Sequence, residues 1–360
     1  MHITHGRTAA WTAALAALLS STTLAQTATG AQAQDAARCV DLADDAIRLR
    51  CYDAAMKRTP AAPPPARETT TVRNEVFPHE HDSEGPEEHP LVGSLLDSRW
   101  ELDEASKKGP FHIRAYKPVY LLPVFYTSDT NQRPASPAAG RQTTESRNLQ
   151  SIEAVYQLSL KTKLWENLFG DNGDLWTGYT QVSHWQIYND AESRPFSETN
   201  YEPEVTLAFR TGYELFGWNG RLLGVTVNHQ SNGQSQPLSR SWNRVMLNLG
   251  FERDGWTLML RPWWRVHDTD DDNPDISDYV GRGDLQLVHQ WNGHEFALMA
   301  RHTLRGGDRS RGALQFDWAF PISGELRGHL QLFDGYGQSL IDYNHRAWYF
   351  GLGVSLIEWY

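Results

Sequence analysis

The 360-residue chain contains only two cysteines, no long apolar run after its first 25 residues, and fewer basic than acidic side chains, 33 against 44. Two cysteines exclude a disulfide-rich scaffold and an all-thiolate zinc site. A mean hydropathy of −0.56 and the lack of segments of about 20 apolar residues exclude a helical membrane bundle. A net charge of −11 without basic runs argues against nucleic-acid binding. A membrane β-barrel is not excluded, because half of each barrel strand is polar.

The first residues have the pattern of an export signal. His5 and Arg7 precede an apolar run that ends at Leu19, and small residues follow it. The run is too short to span a membrane, and the small residues create two cleavage points, after Ala25 and after Ala33. We therefore expect a signal peptide over residues 1–25, with cleavage after residue 33 as the alternative, and export to an oxidising compartment.

A short helical segment (26–58) carries both cysteines. Apolar residues between Cys39 and Cys51 follow a helical period. One straight helix would separate the cysteines by about 18 Å, so that a disulfide requires a break or hairpin between them. Both arrangements stay open. Residues 59–110 are rich in proline, alanine and acidic side chains and predict a disordered linker.

Residues 111–360 have the pattern of an all-β domain. Twelve strand-like segments are separated by clusters of glycine, asparagine, aspartate and proline. The segments begin near residues 112, 149, 174, 202, 221, 239, 255, 279, 294, 311, 324 and 345. In 203–215 and 256–266, apolar residues alternate with polar ones, so that each strand has one apolar and one charged face.

Two architectures are compatible with these strands, a soluble β-sandwich and an antiparallel membrane β-barrel. Aromatic residues near the strand ends favour the barrel, because they gather where a barrel meets the membrane surfaces. They are Trp165, Phe169, Trp176, Trp185, Trp256, Trp291, Trp348 and Trp359. An even strand number also lets the sheet close without edges. We therefore expect a twelve-stranded antiparallel transmembrane β-barrel in the outer membrane, with an N-terminal periplasmic extension and a strand that runs to the last residue.

The polar face of each strand would line the barrel interior. We expect its charged residues to form a network that fills the lumen. The candidates are Glu204, Arg210, Glu214, Arg244, Glu252 and Arg261. Six histidines lack ligand spacing and receive no predicted role: His184, His267, His289, His294, His329 and His345.

The hairpin within 225–245 has the clearest chemical pattern. Strand parity places His229, Ser231 and Asn243 on the outward rows, beside apolar residues. If residue 229 pairs with 243, Ser231 opposes Ser241 and the imidazole lies between a hydroxyl and an amide. A nucleophile, a base and an orienting group require this geometry. The alternative is that these are ordinary polar residues at the membrane rim, facing lipid headgroups.

The runs Asn228 to Gly233 and Ser239 to Arg244 are similar to the signature of outer-membrane phospholipase A. The similarity covers about residues 110–360 and includes Tyr179 to Gln181, Pro195-Phe196, Glu198 to Pro203, Asp272 to Asp275 and Gly335 to Asn344. The resemblance implies a twelve-stranded barrel. It also implies a carboxylic ester hydrolase that acts on membrane phospholipids, with phospholipase A1, A2 and lysophospholipase activity.

The resemblance also implies roles for residues of the hairpin. Ser231 would be the nucleophile, His229 the general base, and Asn243 the residue that fixes the imidazole tautomer. The backbone N–H of Gly233 would stabilise the oxyanion. A neutral asparagine stabilises an imidazolium less than aspartate would, so that further stabilisation must come from elsewhere.

In the resembled family this help comes from Ca²⁺, bound when two subunits associate as a homodimer. The implied oxygen ligands are the Gln234 carbonyl, Ser239, Ser193 of the partner subunit and, through water, Asp272. This sequence has an additional aspartate before Asn273, which leaves Asp271 as the alternative to Asp272. A solvated acidic loop is the alternative interpretation of this run.

Two further positions bear on assembly. Gln236 stands where the family can have aspartate, which argues against a second calcium bound by the monomer. Gln181 lies on a lipid-facing row and would pair with its counterpart across the dimer, unless a different register turns it inward. A catalytically silent barrel, acting as a small channel or a structural protein, is the alternative function.

Overall fold

The computed structural model describes residues 38–40, 45–55 and 94–359. The expected signal peptide (1–25, or to 33) and residues 59–93 of the expected linker lie outside these ranges. The chain divides into two units, residues 1–71 and 72–360. In the described ranges, helices are too short or too polar to cross a membrane.

The first unit contains a disulfide-linked helix. The chain turns at residues 38–40, and helix α1 spans Asp45–Ala55. Cys39 therefore precedes the helix rather than lying on it, and its Cα is 5.6 Å from that of Cys51. A disulfide joins the two residues, which settles the two arrangements in favour of the broken one.

The second unit is a closed antiparallel barrel. Residues Ile113–Ala115 (β1) and Val119–Thr127 (β2) lie end to end along the third strand and together form one broken first strand. The last strand, β13 (Arg346–Ile357), pairs with β2 and closes the sheet. With β1 and β2 counted as one strand, the barrel has twelve strands, which confirms the expected fold. Pro118, which has no backbone N–H, lies at the break.

The other strands follow in chain order around the barrel. They are β3 (Ile152–Trp165), β4 (Asp174–Trp185), β5 (Phe196–Leu215), β6 (Trp218–Ser231), β7 (Ser241–Arg253), β8 (Trp256–Val266), β9 (Gly283–Trp291), β10 (His294–His302), β11 (Gly312–Ser323), β12 (Leu326–Tyr336) and β13 (Arg346–Ile357). Short turns connect the strands at one end, for example at residues 254–255 and 324–325, whereas longer loops cross the other end. A 3₁₀ turn lies before the barrel at Glu104–Ser106, and three others lie in loops at Asp190–Glu192, Ile276–Asp278 and Gly307–Arg309.

Alternation along each strand separates the two faces of the wall. On β6, Val225 and Val227 are 42% and 62% exposed, whereas Thr226 and Asn228 are 2% and 1% exposed. Apolar side chains therefore face outward and polar ones inward. A soluble sandwich would have the opposite distribution, so this pattern identifies the wall as lipid-facing.

Two strands begin four or more residues away from the position that the sequence predicts. Strand β5 begins at Phe196 rather than 202, and β9 begins at Gly283 rather than 279. The apolar residues Ile276 and Val280 lie in a folded loop that packs on the loop end of the barrel, which explains why they resemble a strand start. The final strand ends at Ile357, so the expectation that it runs to the last residue was wrong.

A network of charged and amide side chains fills the lumen. The Glu202 carboxylate accepts hydrogen bonds from Lys117 at 2.8 Å, Asn228 at 2.9 Å and Arg244 at 3.0 Å. Arg261 binds Asp284 through two nitrogens, at 2.7 and 2.8 Å. Paired in this way, the charges avoid the cost of unpaired burial.

Four of the six predicted network residues face inward with partners: Glu204, Arg244, Glu252 and Arg261. The other two expectations were wrong. Arg210 instead lies 3.3 Å from the exposed Asp171 carboxylate, and Glu214 is exposed near a short turn. Both lie near the end of a strand, where the inward face opens to water.

Helix α2 (Leu95–Trp100) plugs the short-turn end of the barrel. Ser94 caps its first turn, and the Glu252 carboxylate on β7 accepts from the Ser94 hydroxyl at 2.5 Å and the Leu96 N–H at 2.6 Å. A carboxylate at a helix start also interacts favourably with the helix dipole. The predicted disordered linker therefore does not extend to residue 110, because the chain is folded from Ser94 onward.

One aromatic ring of this helix and two of the barrel wall surround a buried cation. The ammonium of Lys161 lies 3.1 Å from the ring centre of Trp100, 4.6 Å from that of Trp176 and 5.0 Å from that of Tyr116. It makes no hydrogen bond to any described residue. Trp176 was expected at the membrane surface, but it lies on the inward row of β4 and is 1% exposed.

We expect Trp100→Ala to destabilise the barrel by about 3–5 kcal/mol, because it removes a buried ring and leaves the Lys161 charge without its closest contact. Urea unfolding in lipid vesicles would measure this loss. Trp165→Ala, which changes a tryptophan that is 61% exposed, is the matched control and should cost less. Equal losses would contradict a packing role for the plug.

Candidate active site

The β6–β7 hairpin brings three polar side chains together on the outer face. His229 pairs with Asn243, and Ser231 pairs with Ser241, as the sequence predicts. His229 is exposed, and Ser231 and Asn243 are half-buried, at the loop end of a strand whose other outward residues are apolar. Three polar groups therefore lie beside one another at the rim of the lipid-facing surface.

The imidazole of His229 is held by one neighbour. Its Nδ1 lies 2.7 Å from the Oδ1 of Asn243. With Nδ1 donating to this oxygen, Nε2 carries the free lone pair, and it makes no hydrogen bond to a described residue. The Ser231 hydroxyl is likewise without a hydrogen bond to any residue in the described ranges, two positions along the same face. A free imidazole nitrogen and a free hydroxyl on one face are the types of group that general-base catalysis uses.

Asp268 lies behind Asn243, and sequence reasoning missed it. Its Oδ2 accepts a hydrogen bond from the Asn243 Nδ2 at 2.7 Å. Because the amide nitrogen is engaged there, the amide oxygen is directed at His229. The only sequence signal is an aspartate two residues after the end of β8, and its contact with β7 depends on the strand register.

Gly233, two residues after Ser231, has a backbone conformation that favours glycine. Its φ is +63°, and a Cβ there would lie 3.0 Å from the ring of Tyr201. Its N–H has no hydrogen-bond acceptor among the described residues. A free backbone N–H two residues from a candidate nucleophile is the type of group that stabilises an oxyanion.

Buried amides and a carboxylate fix the loop between the two strands. Asn232 donates to the Leu238 carbonyl at 2.8 Å and accepts from the Arg240 N–H at 2.9 Å. Glu198, 3% exposed, accepts from the Gln234 side chain at 2.7 Å. The sequence analysis names Glu198 only as part of a motif, because its partner Gln234 lies 36 residues away along the chain. The conformation at Gly233 therefore depends on buried polar contacts.

The acidic loop approaches the same hairpin through one aspartate. One Asp272 oxygen accepts from Ser239 at 2.8 Å and from Ser241 at 3.3 Å. The other lies 2.6 Å from Arg141. Asp271 instead binds Arg265 at 2.5 Å. Of the two aspartates that the sequence left open, Asp272 is therefore the one beside Ser239.

The candidate calcium ligands offer oxygen atoms of different kinds. Ser239 and Asp272 supply a hydroxyl and a carboxylate in contact with each other, and the Gln234 carbonyl accepts no hydrogen bond from the described residues. Ser193 ends a 3₁₀ turn with φ +60°. Within the described ranges, no cluster of three or more His, Cys, Asp or Glu could hold a metal. Hydroxyl and carbonyl oxygens with one carboxylate still suit a hard cation such as calcium.

Arg141 brings a positive charge to this loop from the β2–β3 connection. Besides Asp272, it faces the Gln236 amide, whose oxygen accepts from its guanidinium at 3.2 Å when turned toward it. The position where the resembled family can have an acid is therefore next to an arginine. This contact argues further against a second cation at Gln236.

An apolar cluster supports the loops from below. Trp242, Trp263, Ile276 and Tyr343 pack together at the loop end of the lumen. The Tyr343 hydroxyl donates to Asp275 at 2.5 Å. Burial, together with this carboxylate, raises the pKa of Tyr343, so it remains a donor. The acidic loop is thereby anchored on both sides of Asp272.

Gln181 faces outward on β4, which excludes the inward alternative. Its amide accepts from the Tyr179 hydroxyl at 3.0 Å and donates to the Ser183 hydroxyl at 3.1 Å. The two neighbours on the same strand compensate the polar group on a lipid-facing row.

The six histidines without a predicted role include His184 and His329, which pair with the carboxylates of Glu153 and Asp317 in the wall.

Comparisons with known proteins agree on one family. The phospholipase A1 family model matches residues 96–356. A Neisseria meningitidis protein is 37% identical over 353 residues, which cover 90% of this chain and 91% of that protein. Phospholipase A1 of Escherichia coli K12 is 37% identical over 247 residues, which cover 69% of this chain and 82% of that protein.

Solved structures show the same relationship. Outer membrane phospholipase A from Escherichia coli superposes with a TM-score of 0.63 at 36% identity, covering 71% of this chain and 95% of that one. The Salmonella typhi protein, a dimer with bound calcium, gives 0.64 at 36% identity, covering 71% and 96%. A further Escherichia coli structure is an active-site mutant with asparagine changed to alanine. The chain belongs to the phospholipase A1 family and is an outer-membrane β-barrel of the phospholipase A type.

Proposed function

We propose that this protein hydrolyses acyl ester bonds of membrane phospholipids, with A1, A2 and lysophospholipase activity, and that Ser231, His229 and Asn243 form its catalytic triad. The main support is the pairing of His229 with Asn243, directly beside Ser231, on a lipid-facing row. These groups share a row with lipid-facing residues at the rim, which is the depth of an ester near the headgroups of a bilayer.

The contacts suggest the order of proton transfers. His229 Nε2 takes the Ser231 proton as Oγ attacks the ester carbonyl carbon, and Nδ1 keeps its proton toward the Asn243 oxygen. The Gly233 N–H stabilises the negative oxygen of the tetrahedral intermediate. The imidazolium then protonates the departing alcohol, which leaves as a lysophospholipid. Water, deprotonated by the same nitrogen, releases the fatty acid from the serine.

The proposal includes a homodimer that binds calcium. The Gln234 carbonyl, the Ser239 hydroxyl and Asp272 on one subunit, with Ser193 of the partner subunit, would hold the ion. Bound calcium supplies positive charge near the developing oxyanion, where a neutral asparagine gives less stabilisation than an aspartate would. Support comes from the oxygen-only donor set and the calcium-bound dimer of the Salmonella typhi relative. Gln181, outward on β4, is the proposed contact between subunits.

Ser231→Ala should reduce phospholipid hydrolysis by at least about 10³-fold, since the nucleophile is lost while the fold remains. Hydrolysis by the detergent-refolded full chain, with excess calcium and with chelator, is the measurement. Ser235→Ala, in the same loop, is the matched control and should be active. Full activity of Ser231→Ala would eliminate the triad. Absence of activity in the refolded wild type would instead favour a silent barrel.

Asp268→Asn should lower kcat about tenfold with KM unchanged, because the amide of Asn243 loses the carboxylate that orients it. Steady-state kinetics on mixed micelles would separate the two constants. The matched control is Asp308→Asn, an exposed aspartate in another loop. An equal effect of both changes, or a rise in KM alone, would show that Asp268 does not act through Asn243.

Ser239→Ala should raise the calcium concentration needed for dimerisation by about tenfold, as expected for loss of a site oxygen. Sedimentation in detergent across a calcium titration measures this directly and does not depend on turnover. Ser235→Ala again serves as the control. Calcium-independent dimers, or an unchanged midpoint for Ser239→Ala, would remove this residue from the proposed site.

A further inference from the structure

The connection between β2 and β3 folds back on itself, because Ala135 pairs with Gln142 in an isolated bridge. Between these two residues, the Ser136 N–H donates to the Arg141 carbonyl at 2.9 Å. The same carbonyl accepts from the Arg240 guanidinium at 3.2 Å, so that the connection contacts the β6–β7 loop. Arg141 is 5% exposed and is therefore held inside the protein between two loops.

The Arg141 side chain forms a buried ion pair with the acidic loop. Its Nε and Nη2 both lie 2.6 Å from Oδ1 of Asp272, which is 6% exposed. The Ser136 hydroxyl donates to the Asp272 backbone carbonyl at 2.7 Å, so that the β2–β3 connection binds this aspartate at two points. Asp270 lies 3.7 Å from Arg141, but its side chain is 92% exposed, and an exposed pair of this kind interacts weakly. Asp272 is therefore the main counter-charge of Arg141.

Asp272 also belongs to the proposed calcium site. Its second oxygen, Oδ2, accepts from the Ser239 hydroxyl at 2.8 Å and from the Ser241 hydroxyl at 3.3 Å. The Gln236 side chain, which also faces Arg141, is neutral. The affinity of a calcium site depends on the number of charged ligands and on the rigidity of the site. The one acidic side chain of the proposed ligand set is therefore already paired with an arginine.

A calcium ion beside Ser239 would lie close to this positive charge. Only the Asp272 carboxylate would separate the two cations, with Arg141 at one of its oxygens and the ion on the side of the other. Like charges at short range repel each other, and salt screens buried charges much less than exposed ones. Arg141 would therefore weaken calcium binding in two ways, because it repels the ion and occupies one oxygen of the carboxylate.

We propose that Arg141 raises the calcium concentration at which the dimer forms, because its guanidinium competes with the ion for the Asp272 carboxylate. This role rests on the proposed calcium site and adds a regulatory residue to it. Arg141 acts through Asp272 and is not a catalytic residue. A residue that only supported the acidic loop would have the opposite effect, because its loss would loosen Asp272 and weaken calcium binding. The direction of the change in calcium requirement therefore distinguishes the two roles.

Sedimentation of the full chain in neutral detergent, across a calcium titration, measures the midpoint of dimer formation without any substrate. The two neutral variants are Arg141→Gln and Arg141→Met, and heat-modifiable migration identifies which of them is folded. Arg141→Lys keeps the positive charge but not the forked guanidinium. Arg133→Gln removes an exposed arginine from the same connection and is the matched control for net charge. Ser136→Ala removes the other contact of this connection with Asp272 and leaves the charge unchanged.

We expect a folded neutral variant at position 141 to lower the calcium midpoint by about tenfold, because the repulsion is removed and Oδ1 of Asp272 is released. Arg141→Lys should stay close to the wild type, since it keeps the charge. Arg133→Gln should not move the midpoint, and Ser136→Ala should leave it unchanged or raise it.

An unchanged or raised midpoint in the neutral variants would overturn the proposal. An equal fall in Arg133→Gln would also overturn it, because net charge rather than this contact would then set the midpoint. An equal fall in Ser136→Ala would do the same, since a looser loop would then be the cause. Dimers of the wild type that form without calcium would instead overturn the proposed calcium site, and the role of Arg141 with it.

Discussion

The register between β6 and β7 is the constraint on which the rest of the site depends. In an antiparallel pair each residue has one direct neighbour, and successive side chains point to opposite faces. With His229 opposite Asn243, all three candidate groups face the lipid. A slip of one residue would turn them into the lumen and expose buried Asn228 to hydrocarbon. The apolar outward row of both strands therefore determines the chemistry at their end.

The interior stabilises this register from the other side. Arg244 follows Asn243 on the same strand and points inward, where it binds Glu202 and Asn228. Of these two adjacent residues, Arg244 thus contacts the polar lumen and Asn243 faces the outer rim. Helix α2 and the aromatic rings around Lys161 close the opposite end of the same interior. A wall backed by paired charges can hold a loop such as the one at Gly233 in a fixed conformation.

Local period and pairing explain what the sequence could predict. Alternation with a period of two is visible over a few residues. The sequence therefore predicts the twelve strands, their outward rows and the pairing of residue 229 with residue 243. The same alternation places Trp176 on the inward row of β4. It was predicted at the membrane surface because a tryptophan near a strand end is typical of the aromatic residues there.

Contacts between distant segments escaped prediction. The Arg141 contact with Asp272 joins two loops that are 131 residues apart, and Asp268 reaches Asn243 only because of the pairing of β7 with β8. Helix α2 follows a proline-rich stretch, and its burial depends on Glu252 and the lumen rather than on its own composition. No local pattern carries this information.

The outward direction of Ser231 has a mechanical consequence. Cleavage at this surface would convert one two-chain lipid into two single-chain products that stay in the same leaflet. Their wedge shapes alter lateral pressure against the wall that generated them. Substrate arrival would be a two-dimensional diffusion problem, governed by the packing of the surrounding monolayer rather than by concentration in water. The rate of hydrolysis by such a barrel would therefore depend on how tightly the lipids around it are packed.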